Sequence, residues 1–187
     1  VMAKGWVENK KEQKRYFSQA NGRMCTGWVK SSAGNYRYFK PSNGIMYTGL
    51  EKIDSDYYYF SKSTGVRYQK GFGTVGSKKY YFNPSDGKAK TGWLELDGKK
   101  YYFAKDSGIM YKDIKIINDK KYYFHPKTGV LLNGIYRANN GFTYYFDENT
   151  ASGVRTGLQT YQGDTYLFHK ESGIMLTGLF SVGKDLY

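Results

Sequence analysis

Three tryptophans hold the positions best suited to recognition chemistry. Trp6, Trp28 and Trp93 each follow a glycine, and each is trailed by a ring-rich run such as Lys100-Tyr101-Tyr102-Phe103. An indole or phenol face can stack on the C–H face of a pyranose, and several faces together can enclose a cation. Neighbouring Lys, Asn and Gln side chains can satisfy hydroxyls in a shallow groove. On that chemistry the candidate ligand contacts are Trp6, Trp28, Tyr36, Tyr47, Tyr57, Tyr68, Lys79, Trp93, Lys100, Tyr111 and Lys121. For any single tyrosine the competing expectation is packing, because a buried ring contributes about 150–250 Å² of contact.

Catalytic chemistry has no comparable constellation. His125 and His169 both follow the Phe that closes a ring-rich run, where other copies place Lys40, Ser61, Asn83, Ala104 and Asp147, so they read as variable turn-entry residues. No thiol or carboxylate cluster at metal-ligand spacing accompanies either, and no cofactor is called for. Asp54, Asp56, Asp86, Asp97, Asp106 and Asp119 sit where Asp favours turns by local hydrogen bonding, and a pair of carboxylates for glycoside hydrolysis would need a shaped cleft. The expectation is a chain that binds and does not catalyse.

What positions the rings is a repeat of 21 to 23 residues. Copies begin at Gly5, Gly27, Gly49, Gly71, Gly92, Asp113, Gly134, Gly157 and Gly178, the last cut short. A unit this small cannot bury a core alone and must stack on its neighbours. In the fifth copy Trp93–Leu96 reads as a strand, Asp97-Gly98 as a two-residue turn and Lys99–Phe103 as the return strand. Equivalent turns fall at Ala33-Gly34, Val75-Gly76, Asn118-Asp119, Asn140-Gly141 and Gln162-Gly163, with Asp54-Ser55 as a Gly-free variant. A second Gly-centred break, at Gly22, Gly44, Gly65, Gly87, Gly108, Gly129, Gly153 and Gly173, joins each hairpin to the next. Apolar residues never recur at three- and four-residue spacing for long, so the expectation is all-β, a solenoid of tandem hairpins in one repeat domain spanning 1–187. Strand alternation puts Tyr101 and Phe103 on one side and Tyr102 on the other, one side interior and the other at least partly open as a row of aromatic pockets.

Composition sets the class and the partners. The 187 residues include 21 Tyr, 11 Phe and 3 Trp, giving 19% aromatic residues with few aliphatic runs. A mean hydropathy of −0.70 and the lack of any apolar run near 20 residues speak against membrane insertion. Val1–Lys10 lacks the basic start and apolar stretch of a signal peptide, and we read the chain as a fragment of a larger protein. Cys25 is the only cysteine, so stacking has to replace disulfides. A net charge of +13 favours anionic partners such as teichoic acids or acidic glycans, although the lysines also keep an aromatic-rich rod soluble. Nucleic acid is set aside, because no nucleic-acid-binding fold is a string of hairpins of this period. A dimer through an exposed flank is open to such a solenoid.

These residues carry a family resemblance along essentially the whole chain. Gly-Trp recurs at 5–6, 27–28 and 92–93; Tyr-Tyr-Phe at 58–60, 80–82, 101–103, 122–124 and 144–146; and Gly-Ile-Met at 44–46, 108–110 and 173–175. The chain resembles the cell-wall-binding repeats of bacterial surface and secreted proteins, the superfamily of choline-binding repeats, glucan-binding repeats of glucosyltransferases and the repetitive oligopeptides of large clostridial toxins. The resemblance implies a left-handed superhelix of hairpins, ligand sites between consecutive hairpins, and noncatalytic attachment to a carbohydrate or wall polymer at the cell surface or after secretion.

The branch is read from the departures. A choline cage needs an aromatic opening the return strand, and here that position holds Lys79, Lys100, Lys121, Thr143 and Thr165, with rings only at Tyr36 and Tyr57. The Gly-Trp indole is replaced by Leu50, Phe72, Ile114, Ile135, Leu158 and Leu179. Only Trp28, Tyr36, Met46, Tyr47 and Tyr57 offer the makings of a cage, and lysine beside a cationic ligand would repel it. The Gly-Lys-Lys-Tyr-Tyr-Phe form is similar to the toxin and glucan-binding branches. The expected function is therefore multivalent glucan or glycan binding, with attachment to the producer's own wall through choline or teichoic acid, or a structural spacer, as alternatives.

Overall fold

The computed structural model describes residues 3–178 and, by backbone alone, Ser181–Val182 and Asp185–Leu186. Leu179 and Tyr187, part of the truncated ninth copy, lie outside the described residues. Every described element is a strand, and no helix is long and apolar enough to cross a membrane.

Residues cluster into two compact units. One takes the chain up to Gly92 together with Ala104–Ile109; the other takes Trp93–Phe103 and the chain from Met110 onward. In the first, β1 (Gly5–Glu8) pairs with β2 (Lys14–Phe17), β3 (Gly27–Lys30) with β4 (Tyr36–Phe39), β5 (Gly49–Ile53) with β6 (Asp56–Phe60) and β7 (Gly71–Val75) with β8 (Lys78–Phe82). In the second, β9 (Gly92–Leu96) pairs with β10 (Lys99–Phe103), and β11 (Asp113–Ile117) with β12 (Lys120–Phe124), which also takes β13 (Leu131–Leu132). There β14 (Gly134–Arg137) pairs with β15 (Thr143–Phe146) and β16 (Gly157–Tyr161) with β17 (Asp164–Phe168). All these pairs are antiparallel, and the repeat boundaries coincide with those read from the sequence.

The turns follow the chemistry of their residues. Asp97-Gly98, Asn118-Asp119 and Gln162-Gly163 have positive φ at both central positions, the I′ pattern that matches strand twist. Asp54-Ser55 is a turn as expected, with positive φ only at Asp54. The turn expected at Val75-Gly76 is instead Gly76-Ser77, because Val75 pairs with Lys78 and its half-buried side chain stays in the strand. In the second and seventh copies Gly34 and Gly141 lie inside five-residue loops, since the flanking pairs are Lys30↔Tyr36 and Arg137↔Thr143.

Packing turns on two columns. Each return strand ends on a Phe, and Phe39, Phe60, Phe82, Phe103, Phe124, Phe146 and Phe168 are the largest fully buried side chains. After the second turn the chain comes back to bridge that Phe through Met24, Met46, Arg67, Ala89, Met110, Val154 and Met175. Four of these residues also reach the preceding hairpin: the N–H of Met46 donates to Lys14 O, that of Arg67 to Tyr36 O, that of Ala89 to Tyr57 O and that of Met175 to Thr143 O, each at 2.8 Å. A hairpin that would be marginal alone is thereby stitched to its predecessor. The second-turn glycine is favoured at Gly44 by its φ of +68°, and an added Cβ there would come 2.5 Å from Met24 Sδ and push that exposed side chain aside. At Gly153 an added Cβ would overlap the Lys121 carbonyl oxygen.

Candidate functional site

The Trp-bearing strands β1, β3 and β9 put three indoles on the surface, with Trp6 49%, Trp28 40% and Trp93 39% exposed. Strand pairing sets each beside the tyrosine preceding the Phe of its own hairpin: Trp6 lies 5.0 Å from Tyr16, Trp28 5.1 Å from Tyr38 and Trp93 5.0 Å from Tyr102, centroid to centroid. The next hairpin supplies the floor, with Phe39, Phe60 and Phe124 at 5.9, 5.9 and 6.1 Å. Its third wall is the residue two before that Phe: Tyr58 lies 5.0 Å from Trp28 and Tyr122 5.1 Å from Trp93, both edge-on. At Trp6 this wall is Arg37, whose Cζ stands 5.4 Å over the indole.

Consecutive hairpins therefore meet in ring seams, whose composition differs from the ligand contacts expected from the sequence. Tyr47 and Tyr111 back the Trp28 and Trp93 seams, packed on Tyr38 and Phe60 (5.2 and 6.3 Å) and on Tyr102 and Phe124 (5.0 and 6.2 Å). Tyr36 lines a cleft of about 360 Å³ with Tyr59, Arg67 and Tyr68. Tyr57 and Tyr68 belong to the next cluster, around Tyr80 and Phe82, and the Tyr68 hydroxyl donates to Phe72 O at 2.9 Å. Lys79 is exposed on β8, opposite Thr74. Lys121 donates to Ser172 O at 2.8 Å and stands over Tyr144.

The cage anticipated from Trp28, Tyr36, Met46, Tyr47 and Tyr57 is corrected in two places. Its third ring is Tyr58, because Tyr57 points to the other side of β6, into the Tyr80 cluster. Met46 is spent beneath Gly65, and the space between Trp28 and Tyr36 holds the Arg67 guanidinium. The seams are also lined by Tyr16, Tyr38, Tyr58, Tyr102, Tyr122, Arg37, Arg67 and Glu148, none of them among the sequence candidates. A signal existed for Arg67, which replaces Met in Gly65-Val66-Arg67 where Gly44-Ile45-Met46 stands one copy earlier.

Electrostatics separate the seams. At Trp93 a cleft of about 310 Å³ is lined by Trp93, Leu94, Glu95, Lys100, Tyr122 and Glu148. Lys100 Nζ lies 3.0 Å from Glu148 Oε1, so the lysine expected to repel a cation is neutralised, and its hydrogen bond to that carboxylate raises its pKa. Lys120 also donates to Glu148 O. Burial pushes up the Tyr122 phenol, and Glu148 adds to the effect. Burial likewise raises Tyr58 and lowers Arg67 in the Trp28 seam. Among the described residues, no cationic side chain stacks on the Trp93 indole and no group of His, Cys, Asp and Glu is placed to hold a metal.

Comparison with known proteins agrees with this geometry. A model of the choline-binding repeat matches residues 3–49 and 69–114, and a model of the cell wall binding repeat matches 48–66, so that together they take in 110 of the 187 residues. Sequence comparison with curated proteins gives no match. Among solved structures, CbpJ from Streptococcus pneumoniae is similar over 94% of this chain and 66% of its own, at 24% identity and a TM-score of 0.74. Choline binding protein F from Streptococcus pneumoniae is similar in a crystal with a peptidoglycan analogue (24% identity, TM-score 0.72) and in a second crystal form (26%, 0.70); each time 94% of this chain aligns with 58% of that protein. The chain thus spans less than two thirds of the length of these proteins. With hairpins of this period, seams built from Gly-Trp and Tyr-Tyr-Phe, and both repeat models matching these residues, the chain belongs to the cell-wall-binding repeat superfamily.

Proposed function

We propose that the module attaches a secreted or surface protein to a glucan or glycan polymer, through several weak sugar contacts made at the Trp6, Trp28 and Trp93 seams. The observation that carries this reading is the composition of the first two seams. An exposed indole edged by tyrosines and capped by a guanidinium offers a neutral sugar ring an apolar face and N–H donors together, and it repels a positively charged ligand. Each contact is shallow; spacing several along one chain raises the effective concentration at a polymer. The test is retention on insoluble α-glucan together with a glycan array. Retention released by soluble oligosaccharide supports the reading, and no array signal with no retention removes it.

A second reading is favoured at one place. The Trp93 seam has three rings, Trp93, Tyr102 and Tyr122, and carries the Glu148 carboxylate on its rim, which suits a quaternary ammonium such as choline. Release of the bound protein by choline, and not by sugar, would select it.

A further inference from the structure

Two of the three indoles are already in contact with a cation that belongs to the chain. Arg67 Cζ stands 5.3 Å from the Trp28 ring centroid and 4.4 Å from that of Tyr36, inside the range of ring–cation attraction. The guanidinium is anchored: the Arg67 backbone bridges Phe60, its N–H donates to Tyr36 O, and Nη2 donates to Gln69 Oε1 at 2.6 Å. Arg67 Nε is buried with no hydrogen-bond partner, beneath Gly87, where an added Cβ would come 2.6 Å from it. A buried N–H without an acceptor is costly. Over Trp6 the same group arrives from another position: Arg37 Cζ is 5.4 Å from the indole, and its Nε donates to Thr64 O at 2.9 Å.

The two arginines stand where other copies have different residues. Arg67 stands where Met24, Met46, Met110 and Met175 stand in other copies, and Arg37 stands where Tyr58, Tyr80 and Tyr122 do, a position that is also an arginine, Arg15, in the first copy. Different positions thus deliver one chemical group to one place. A ring face that holds a fixed cation repels a second, through like charge at short range in a half-buried setting.

We infer that Arg37 and Arg67 are specificity-determining residues: as tethered guanidinium groups they occupy the cation position of the Trp6 and Trp28 seams, closing both to cationic ligands and leaving them to neutral sugar rings. This rests on the reading of the seams as ligand sites. The Trp93 seam has no guanidinium over its indole; its two lysines, Lys100 in the cleft and Lys120 over Tyr122, are both held by Glu148, which leaves it the one of the three open to a cation.

The test uses choline chloride as probe and follows the three indole N–H signals by NMR in the full chain. In the native protein choline leaves the Trp6 and Trp28 signals in place. In Arg67→Met the Trp28 signal shifts saturably, with an apparent affinity at least tenfold above native, and Arg37→Tyr does the same for Trp6. Should Arg67→Met lose its dispersed amide spectrum, Arg67→Gln removes the charge while keeping a polar chain, and the same gain is expected. The inference is overturned if choline shifts Trp28 in the native protein as strongly as in the variants, or if folded neutral variants gain no response. Titration with isomalto-oligosaccharide separates the two claims. Sugar binding kept without a gain in choline binding removes this inference alone, whereas a choline gain in a protein that binds no sugar removes the glycan reading alone.

Discussion

At the scale of single residues, the second-turn glycines and the seam walls carry the most checkable weight. Gly98 and Gly153 both have positive φ, but an added Cβ meets open space at Gly98 and the Lys121 carbonyl at Gly153. Gly98→Ala should therefore cost about 1 kcal/mol, the left-handed backbone penalty alone. Gly153→Ala should cost at least twice that, about 2–3 kcal/mol, because the backbone must also move. Urea denaturation compares the two, and equal losses would mean that crowding plays no part. The indoles were legible as candidates because Gly-Trp is a visible pair. Tyr58 and Tyr122 were not, since in a run of consecutive rings the sequence does not say which member faces the neighbouring hairpin. Arg37 and Glu148 act across repeats, a relation that spacing within one copy cannot display.

At the scale of the hairpin, stability rests on the Phe column and on the bridge that returns to it. Truncating Phe124, which is 0% exposed and clustered with Tyr102 and Ile117, should cost about 3–5 kcal/mol by the loss of buried area and the cavity left behind. Thermal and urea melts would report it, and a loss under 1 kcal/mol would contradict the packing described. Hairpin ends were readable where turn residues are decisive, as at Asp97-Gly98 and Asn118-Asp119. The one-residue shift to Gly76-Ser77 arose because Val75 is a better strand residue than turn residue, a preference that the Gly-centred pattern hid. The bridging column looked like part of a second turn in the sequence, because a single paired residue leaves no period-two signature.

At the scale of the whole molecule, charge and protonation govern conditions. Burial raises the pKa of Tyr47, Tyr58, Tyr80, Tyr122 and Tyr123 above the free-phenol value of 10.0. The native chain keeps protons that the unfolded chain releases, so the stabilisation is fully present below pH 10 and is lost as pH rises through the folded values. Asp147 moves the other way: the Asn149 backbone N–H, working against burial and aided by Arg155, holds its carboxyl below 3.8. Its contribution is present above that value and fades as pH falls through the folded one. The urea midpoint should thus be flat between about pH 5 and 9 and decline on both sides; a midpoint that rises above pH 10 would contradict the buried phenols. The net charge of +13 predicts that attachment to an anionic polymer weakens from 0.05 to 0.5 M salt, while retention on neutral glucan changes little. Repeat number, period and all-β class were legible because they recur eight times; ligand chemistry was not, because it is set by the few positions where copies differ.

In the proposed mode of attachment the indoles meet sugar directly. Labelling the full chain with 5-fluorotryptophan gives one fluorine signal each for Trp6, Trp28 and Trp93, and titration with isomalto-oligosaccharides reads all three at once. Saturable shifts at these signals, each abolished by replacing its own Trp with Ala while the protein stays folded, are the result expected. Polymer retention with all three signals unmoved would contradict the claim and move the binding surface away from the seams.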